Sequence, residues 1–141
     1  KSEQIKLTKD YGKYTPLVVK VAPDLDLTQV ASIATLLIKH KIDGVIATNS
    51  TLSRGEVENL PNSKESGGLS GSPLTKTATN IIRQLHAVLQ DAIPIIGVGG
   101  IMCASDAQEK IDAGASLIQI YTGLVYQGPE LVRDAVKIFC K

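Results

Sequence analysis

Four short runs in the chain are almost uninterrupted in apolarity. They are Leu17-Val18-Val19-Lys20-Val21, Gly44-Val45-Ile46-Ala47, Ile95-Ile96-Gly97-Val98 and Leu117-Ile118-Gln119-Ile120. Their length and β-branched content predict parallel strands covered on both faces, since a half-exposed strand alternates apolar and polar side chains. After each run the period changes. Val30, Ile33, Ala34 and Leu37 recur at helical spacing, as do Ala78, Ile81, Ile82, Leu85 and Leu89. Ala104, Ala107 and Ile111 make a thinner stripe, and Val132, Ala135, Val136 and Phe139 a fourth. Each stripe predicts a helix with one buried face. Ser105 with Gln108 three residues on predicts a capping box, Pro129 after Gly128 a helix start, and Gly114 after Ala113 a helix end. Residues 1–15, beginning "KSEQIKLTKDYGKY", read as the end of a helix and a linker.

The order is therefore (α)-βα-βα-βα-βα, and each crossover is expected to be right-handed. Two α/β architectures fit: an open doubly wound sheet, or part of a (β/α)8 TIM barrel. A full barrel takes about 250 residues, so the 141 present supply about half of one. One connection is unusual. From Thr48 to Ser72 the chain runs about 25 residues without periodicity, and loops of that length are usually functional.

Composition narrows the picture. Aromatic residues make up 4% of the chain, so the core is expected to be aliphatic. The formal net charge of +1 gives no basic field for nucleic acid. No run approaches the ~18 apolar residues of a membrane span. The opening residues Lys1-Ser2-Glu3-Gln4 are polar and do not resemble a signal peptide. Cys103 and Cys140 lack metal-ligand spacing and read as free thiols of a reducing compartment.

In both architectures ligands bind at the carboxyl ends of the strands. The residues expected there are Lys20 and Asp24, then Thr48, Asn49, Ser50 and Thr51, then Gly97, Gly99 and Gly100, then Tyr121, Thr122 and Gly123. The glycines either let backbone N–H groups approach a phosphate or simply permit tight turns. The helix opening near Ser105 would add its positive dipole end. Lys20 either snorkels to the strand end or meets a negative charge arising in the site. Thr48-Asn49-Ser50-Thr51 either stabilise a turn or read the polar edge of a planar ring. "SGGLSGSPL", Ser66 to Leu74, offers another close backbone approach or a flexible lid. His40 and His86 fall on helix patterns, away from these ends. No Ser-His-Asp or Cys-His set, carboxylate pair or metal cluster assembles there. The pattern suits a phosphorylated planar ligand and a cofactor that carries the chemistry.

"VKVAPDL", "DGVIATNST", "GGLSGSPL", "PIIGVGGI" and "DAGASLIQIYTGLVYQGP" together closely resemble the C-terminal half of dihydroorotate dehydrogenase, most nearly its quinone-using class. The likeness runs from Pro16 to the end of the chain, in register. It implies strands 5 to 8 of a TIM barrel that holds FMN. Lys20 would contact the flavin ring and stabilise negative charge on its reduced form. Thr48 would also bind flavin, and Asn49 and Ser50 would meet orotate. Gly71 would let the chain approach the cofactor. Gly100, with Tyr121 and Thr122, would hold the FMN phosphate. Ser50 stands where the family often has Thr, and Thr122 where it often has Ser.

The resemblance further implies oxidation of dihydroorotate to orotate in pyrimidine (UMP) biosynthesis, with quinone as electron acceptor. The family's catalytic serine base lies in the barrel's first half, as do the helices that meet membrane and quinone. No residue of this chain is assigned as the base. The whole protein is expected to sit peripherally on the cytoplasmic side of the inner membrane. The present chain is expected to be soluble, inactive alone and prone to self-association through its open edges. Two other readings are a sugar-phosphate isomerase or aldolase barrel, with Lys20 as a Schiff-base candidate, and a stand-alone doubly wound binding module.

Overall fold

The structure is a computed structural model and describes residues 1–139. Cys140 and the side chain of Phe139 lie outside the described part. In chain order the elements are α1 (Ser2–Tyr11), β1 (Val18–Val21), α2 (Leu27–Lys39), β2 (Gly44–Ala47), α3 (Thr75–Leu89), β3 (Ile95–Val98), α4 (Ala104–Asp112), β4 (Leu117–Gln119), α5 (Thr122–Gln127) and α6 (Glu130–Phe139). All four strands are parallel, in the order β1-β2-β3-β4. A doubly wound sheet reverses its strand order at a switch point. None occurs here, so consecutive pairing decides for the barrel arrangement.

One sheet face carries the core. Val19 and Val21, Val45 and Ala47, and Ile95 pack with Val30, Ala34 and Leu37 of α2 and with Ile81, Ile82, Leu85 and Leu89 of α3. The expectation that both faces are covered needs correction. On the opposite face Lys20, Ile46, Ile96 and Leu117 stand in one row of the register, and Leu117 is 58% exposed. A barrel interior is filled by side chains from strands all round the ring, and four strands supply only part of that filling.

Three local expectations also shift. The α4 cap is Cys103 with Asp106, not Ser105 with Gln108: the Asp106 carboxylate accepts from the Met102 and Cys103 N–H groups at 2.8 and 3.0 Å. The ionised acceptor outcompetes the neutral hydroxyl. Helix α6 buries Leu131 and Ala135, while Val132 and Val136 are 42% and 51% exposed. Its apolar stripe is broad, and contact with α4 and α5 selects the edge that includes Leu131. Finally, α5 is a short extra helix between β4 and α6 that no stripe in the sequence announced.

At the amino end of the sheet Asp43 ties α1 and its linker to β2. Its carboxylate accepts from the Tyr14 hydroxyl, from the Leu17 N–H at 2.8 Å, from Gln4 Nε2 at 3.1 Å and from Lys1 Nζ at 2.9 Å. These donors, Tyr14 first, hold the carboxyl well below the usual carboxylate range. Helix α1 itself buries no residue, so polar contacts rather than packing anchor it.

Lys110 of α4 is fully buried. Its spacing of three from Ala107 puts both on one helix face. Nζ donates to the Thr75 carbonyl at 2.9 Å and to the Thr79 hydroxyl at 2.5 Å. Burial pushes the ammonium down to about 8, and Asp106 and Glu109 pull it partly back. Between about 8 and the ordinary 10.5 the unfolded chain holds more protons, so burying this group costs less as pH rises. Relative to Lys110→Met, the native chain should gain on the order of 1–3 kcal/mol as pH rises from 7 to 10.5. Urea denaturation of both proteins across that range measures it. The absence of any relative gain would refute the desolvated ammonium.

Candidate functional site

Parallel strands deliver their carboxyl ends to one rim, and a cavity of about 330 Å³ opens there. Lys20, Thr48, Asn49, Ser50, Gly71, Gly100, Tyr121 and Thr122 all line it. These are the residues to which the resemblance assigns binding; Asp24, Thr51 and Gly97, also expected at the strand ends, do not line it. Gly68, Ser70, Gly99 and Gln119 also line it. No carboxylate, histidine or cysteine does so among the described residues. His40 and His86 are exposed on α2's end and on α3. Among the described residues no cluster of metal-ligating side chains occurs, and no helix is long and apolar enough to cross a membrane.

The loop after β2 is fixed by the two neighbouring strands. The Thr48 N–H donates to the Val98 carbonyl and the Asn49 N–H to the Val21 carbonyl, both at 2.8 Å. The buried Thr48 hydroxyl donates to the Asn49 carbonyl at 2.8 Å. Asn49 Oδ1 accepts from the Ser50 N–H at 2.9 Å, which leaves its NH₂ available to donate. Asp24, from the β1 loop, accepts from the Thr51 hydroxyl and from the Leu52 N–H at 2.9 Å. Both of its oxygens are therefore engaged. Lys20 forms no ion pair among the described residues.

The long connection is better ordered than its composition suggested. Thr51 pairs with Leu69 in an antiparallel bridge. Between them the Arg54 guanidinium donates to the carbonyls of Thr51, Leu52 and Ser53 at 3.2–3.3 Å and to those of Glu65 and Gly67 at 3.2 and 2.5 Å. One planar fork thus gathers both limbs of the loop. No spacing rule could have flagged it.

The glycines of "PIIGVGGIM" serve different ends. Gly97 is a packing residue: an added Cβ would lie 3.0 Å from Ala115 Cβ and 3.1 Å from Lys110 Cβ. Gly100 has φ +70°, and the space of its missing Cβ is filled by the Thr75 backbone and hydroxyl. The Thr75 hydroxyl donates to the Gly100 carbonyl at 2.7 Å. Across the cavity, the missing Cβ of Gly123 lets the first turn of α5 meet the Ile101 carbonyl. The two last loops therefore touch backbone to backbone. The α4 N-terminus does not line the cavity, contrary to the dipole expectation for Ser105, and the Met102 and Cys103 N–H groups just before it donate to Asp106. Thr122 and Gly123 at the start of α5 line it instead. The N-cap, Tyr121, is 79% exposed and gives no side-chain cap bond. The Thr122 hydroxyl is hydrogen-bonded with Ser70 at 3.0 Å.

Four βα units in consecutive order, with one cavity at the strand carboxyl ends walled by the last two loops, define part of a (β/α)8 barrel with its binding rim. The family model described as dihydroorotate dehydrogenase matches residues 2–138, and the chain belongs to that family. It is 61% identical over 140 residues to the dihydroorotate dehydrogenase (quinone) of Nitrosospira multiformis, covering 99% of this chain and 40% of that protein. It is 59% identical over 140 residues to that of Nitrosomonas europaea, again over 99% of the chain and 41% of the relative. The crystal structure of the Eimeria tenella enzyme with ferulenol superposes with a TM-score of 0.83 at 34% identity, over 92% of this chain and 35% of that one. The ligand-free Eimeria structure gives 0.82 at 37% identity, over 88% and 34%. The chain thus spans about 40% of the length of the curated relatives it matches.

Gly100→Ala should unfold this corner. The change strains a left-handed backbone and drives a methyl into Thr75, so it should cost roughly 2–4 kcal/mol. Thermal denaturation against the native chain reads the loss, and a neutral effect would contradict the contact.

Proposed function

We propose that this chain forms the FMN- and orotate-facing wall of a quinone-dependent dihydroorotate dehydrogenase. The observation that carries the reading is the convergence of all eight candidate residues on one cavity in a chain of this family. The residues present suit FMN. Gly71 and Gly100 line the cavity where the loops close in, both at positive φ. The Thr122 and Gly123 N–H groups open α5 without a side-chain cap, which suits a phosphate. Lys20 brings a cation without an ion-pair partner to the end of β1.

Gly100 and the backbone of Tyr121 and Thr122 would hold the phosphate. Thr48 and Lys20 would face the flavin ring. Asn49, with its free NH₂, and Ser50 would orient the substrate carboxylate and ring. Bound FMN would supply the two-electron acceptor for a hydride from dihydroorotate, and quinone would take the electrons onward. Lys20 would stabilise negative charge that develops at the ring edge during that transfer. The proton-abstracting base would come from outside this chain, together with the membrane- and quinone-facing parts. The chain alone is accordingly expected not to oxidise dihydroorotate.

In the full-length protein, Lys20→Met should retain FMN yet lose roughly a hundredfold in dihydroorotate-dependent quinone reduction, with a lower flavin reduction potential. Flavin absorbance, steady-state rates and potentiometry check this. A colourless native protein that traps a sugar phosphate on Lys20 under borohydride would replace this reading with the aldolase one.

The strands β1 and β4 each leave one edge open, and Leu117, Val125 and Tyr126 are more than half exposed at 58%, 74% and 74%. The isolated chain is therefore expected to form dimers or larger species in light scattering. A stable monomer would speak against a half-barrel that needs its complement.

A further inference from the structure

Lys110 is a fully buried ammonium whose two partners are neutral oxygens, the Thr75 carbonyl and the Thr79 hydroxyl. It forms no ion pair among the described residues. For stability alone this is a poor use of a lysine, since an apolar side chain of similar volume avoids the desolvation cost. What the ammonium supplies, and an apolar chain cannot, is a fixed donor to Thr75. The Thr75 carbonyl also accepts from the Thr79 hydroxyl at 2.9 Å, so it is doubly held. The Thr75 hydroxyl in turn shares its one proton between the Gly100 carbonyl at 2.7 Å and the Ser72 carbonyl at 2.9 Å. Gly97 lets the Lys110 stem lie close against β3, with an added Cβ only 3.1 Å away. A continuous chain of contacts thus runs from α4, behind the sheet, to the backbone that walls the cavity.

We infer that Lys110 is a positioning residue for the phosphate subsite, acting through Thr75 to hold the Gly99–Gly100 backbone where a ligand's phosphate binds. The inference rests on the FMN reading above. It differs from a helix tie in one respect: loss of Lys110 should weaken recognition of the phosphate, not of the ring.

The test compares FMN and riboflavin affinity by flavin fluorescence, in the full-length protein carrying this chain. Lys110→Met is expected to weaken FMN binding about tenfold or more, with riboflavin binding little changed. Thr75→Val should reproduce that selective loss, and the double variant should be no worse than the poorer single one, because both act on one chain of contacts. If Lys110→Met does not fold by circular dichroism, Lys110→Gln is measured in its place, with the same selective loss expected. FMN affinity left unchanged, or equal weakening of FMN and riboflavin, overturns the inference while native FMN binding stands. A native protein that binds neither ligand overturns the reading of the cavity and this inference with it.

Discussion

Parallel pairing obliges the chain to return along a helix after every strand, because one strand's end and the next one's start lie at opposite ends of the sheet. Repeated in consecutive strand order with one crossover hand, that constraint puts every strand's carboxyl end on the same rim and the crossover helices on the same face. It sorts the chain's chemistry without any further instruction. Asp43 and its donors, just before β2, fall at the amino end and act as an anchor for α1. Lys20, Thr48 and Gly100, at or just past strand ends, fall together around one cavity. The site is a consequence of topology before it is a consequence of any individual side chain.

Within that frame, the close contacts are made by backbone. Gly123 meets the Ile101 carbonyl, Gly100 meets Thr75, and Gly68 gives its Cβ space to Ser50. Each contact joins segments that are far apart in sequence, and each is closed to any residue with a Cβ. The glycines at the rim let the loops pack closely around the cavity.

Much of this was legible from period and position alone. The four strand runs and the α2 and α3 stripes are long enough, and regular enough, for burial to follow spacing. The convergence of Lys20, Thr48 and Asn49 follows once the strand ends are known, whereas Gly71, within the long connection, is reached only through the resemblance. What escaped is instructive. Helix α6 carries apolar residues around a broad arc, so spacing alone could not choose between Leu131 and Val132 as its inner edge. The α4 cap turned on an ionised carboxylate at Asp106 outcompeting a serine hydroxyl. Arg54 organises its loop by contacts to five carbonyls, for which no periodicity exists. No apolar stripe includes Lys110, because its charged type masks its position one turn from Ala107.

The distribution of charge closes the argument. The acidic side chains nearest the rim are each consumed by local donors: Asp24 by Thr51 and Leu52, and Asp106 by Met102 and Cys103. Among the described residues Lys20 stands at the cavity edge without an ion-pair partner, and the Lys110 ammonium behind the sheet hydrogen-bonds to neutral oxygens. Burying the Lys110 ammonium costs stability, which Asp106 and Glu109 offset in part, whereas the exposed Lys20 keeps its hydration. The two cations therefore differ in kind: Lys20 lines the cavity, whereas Lys110 braces Thr75 behind it.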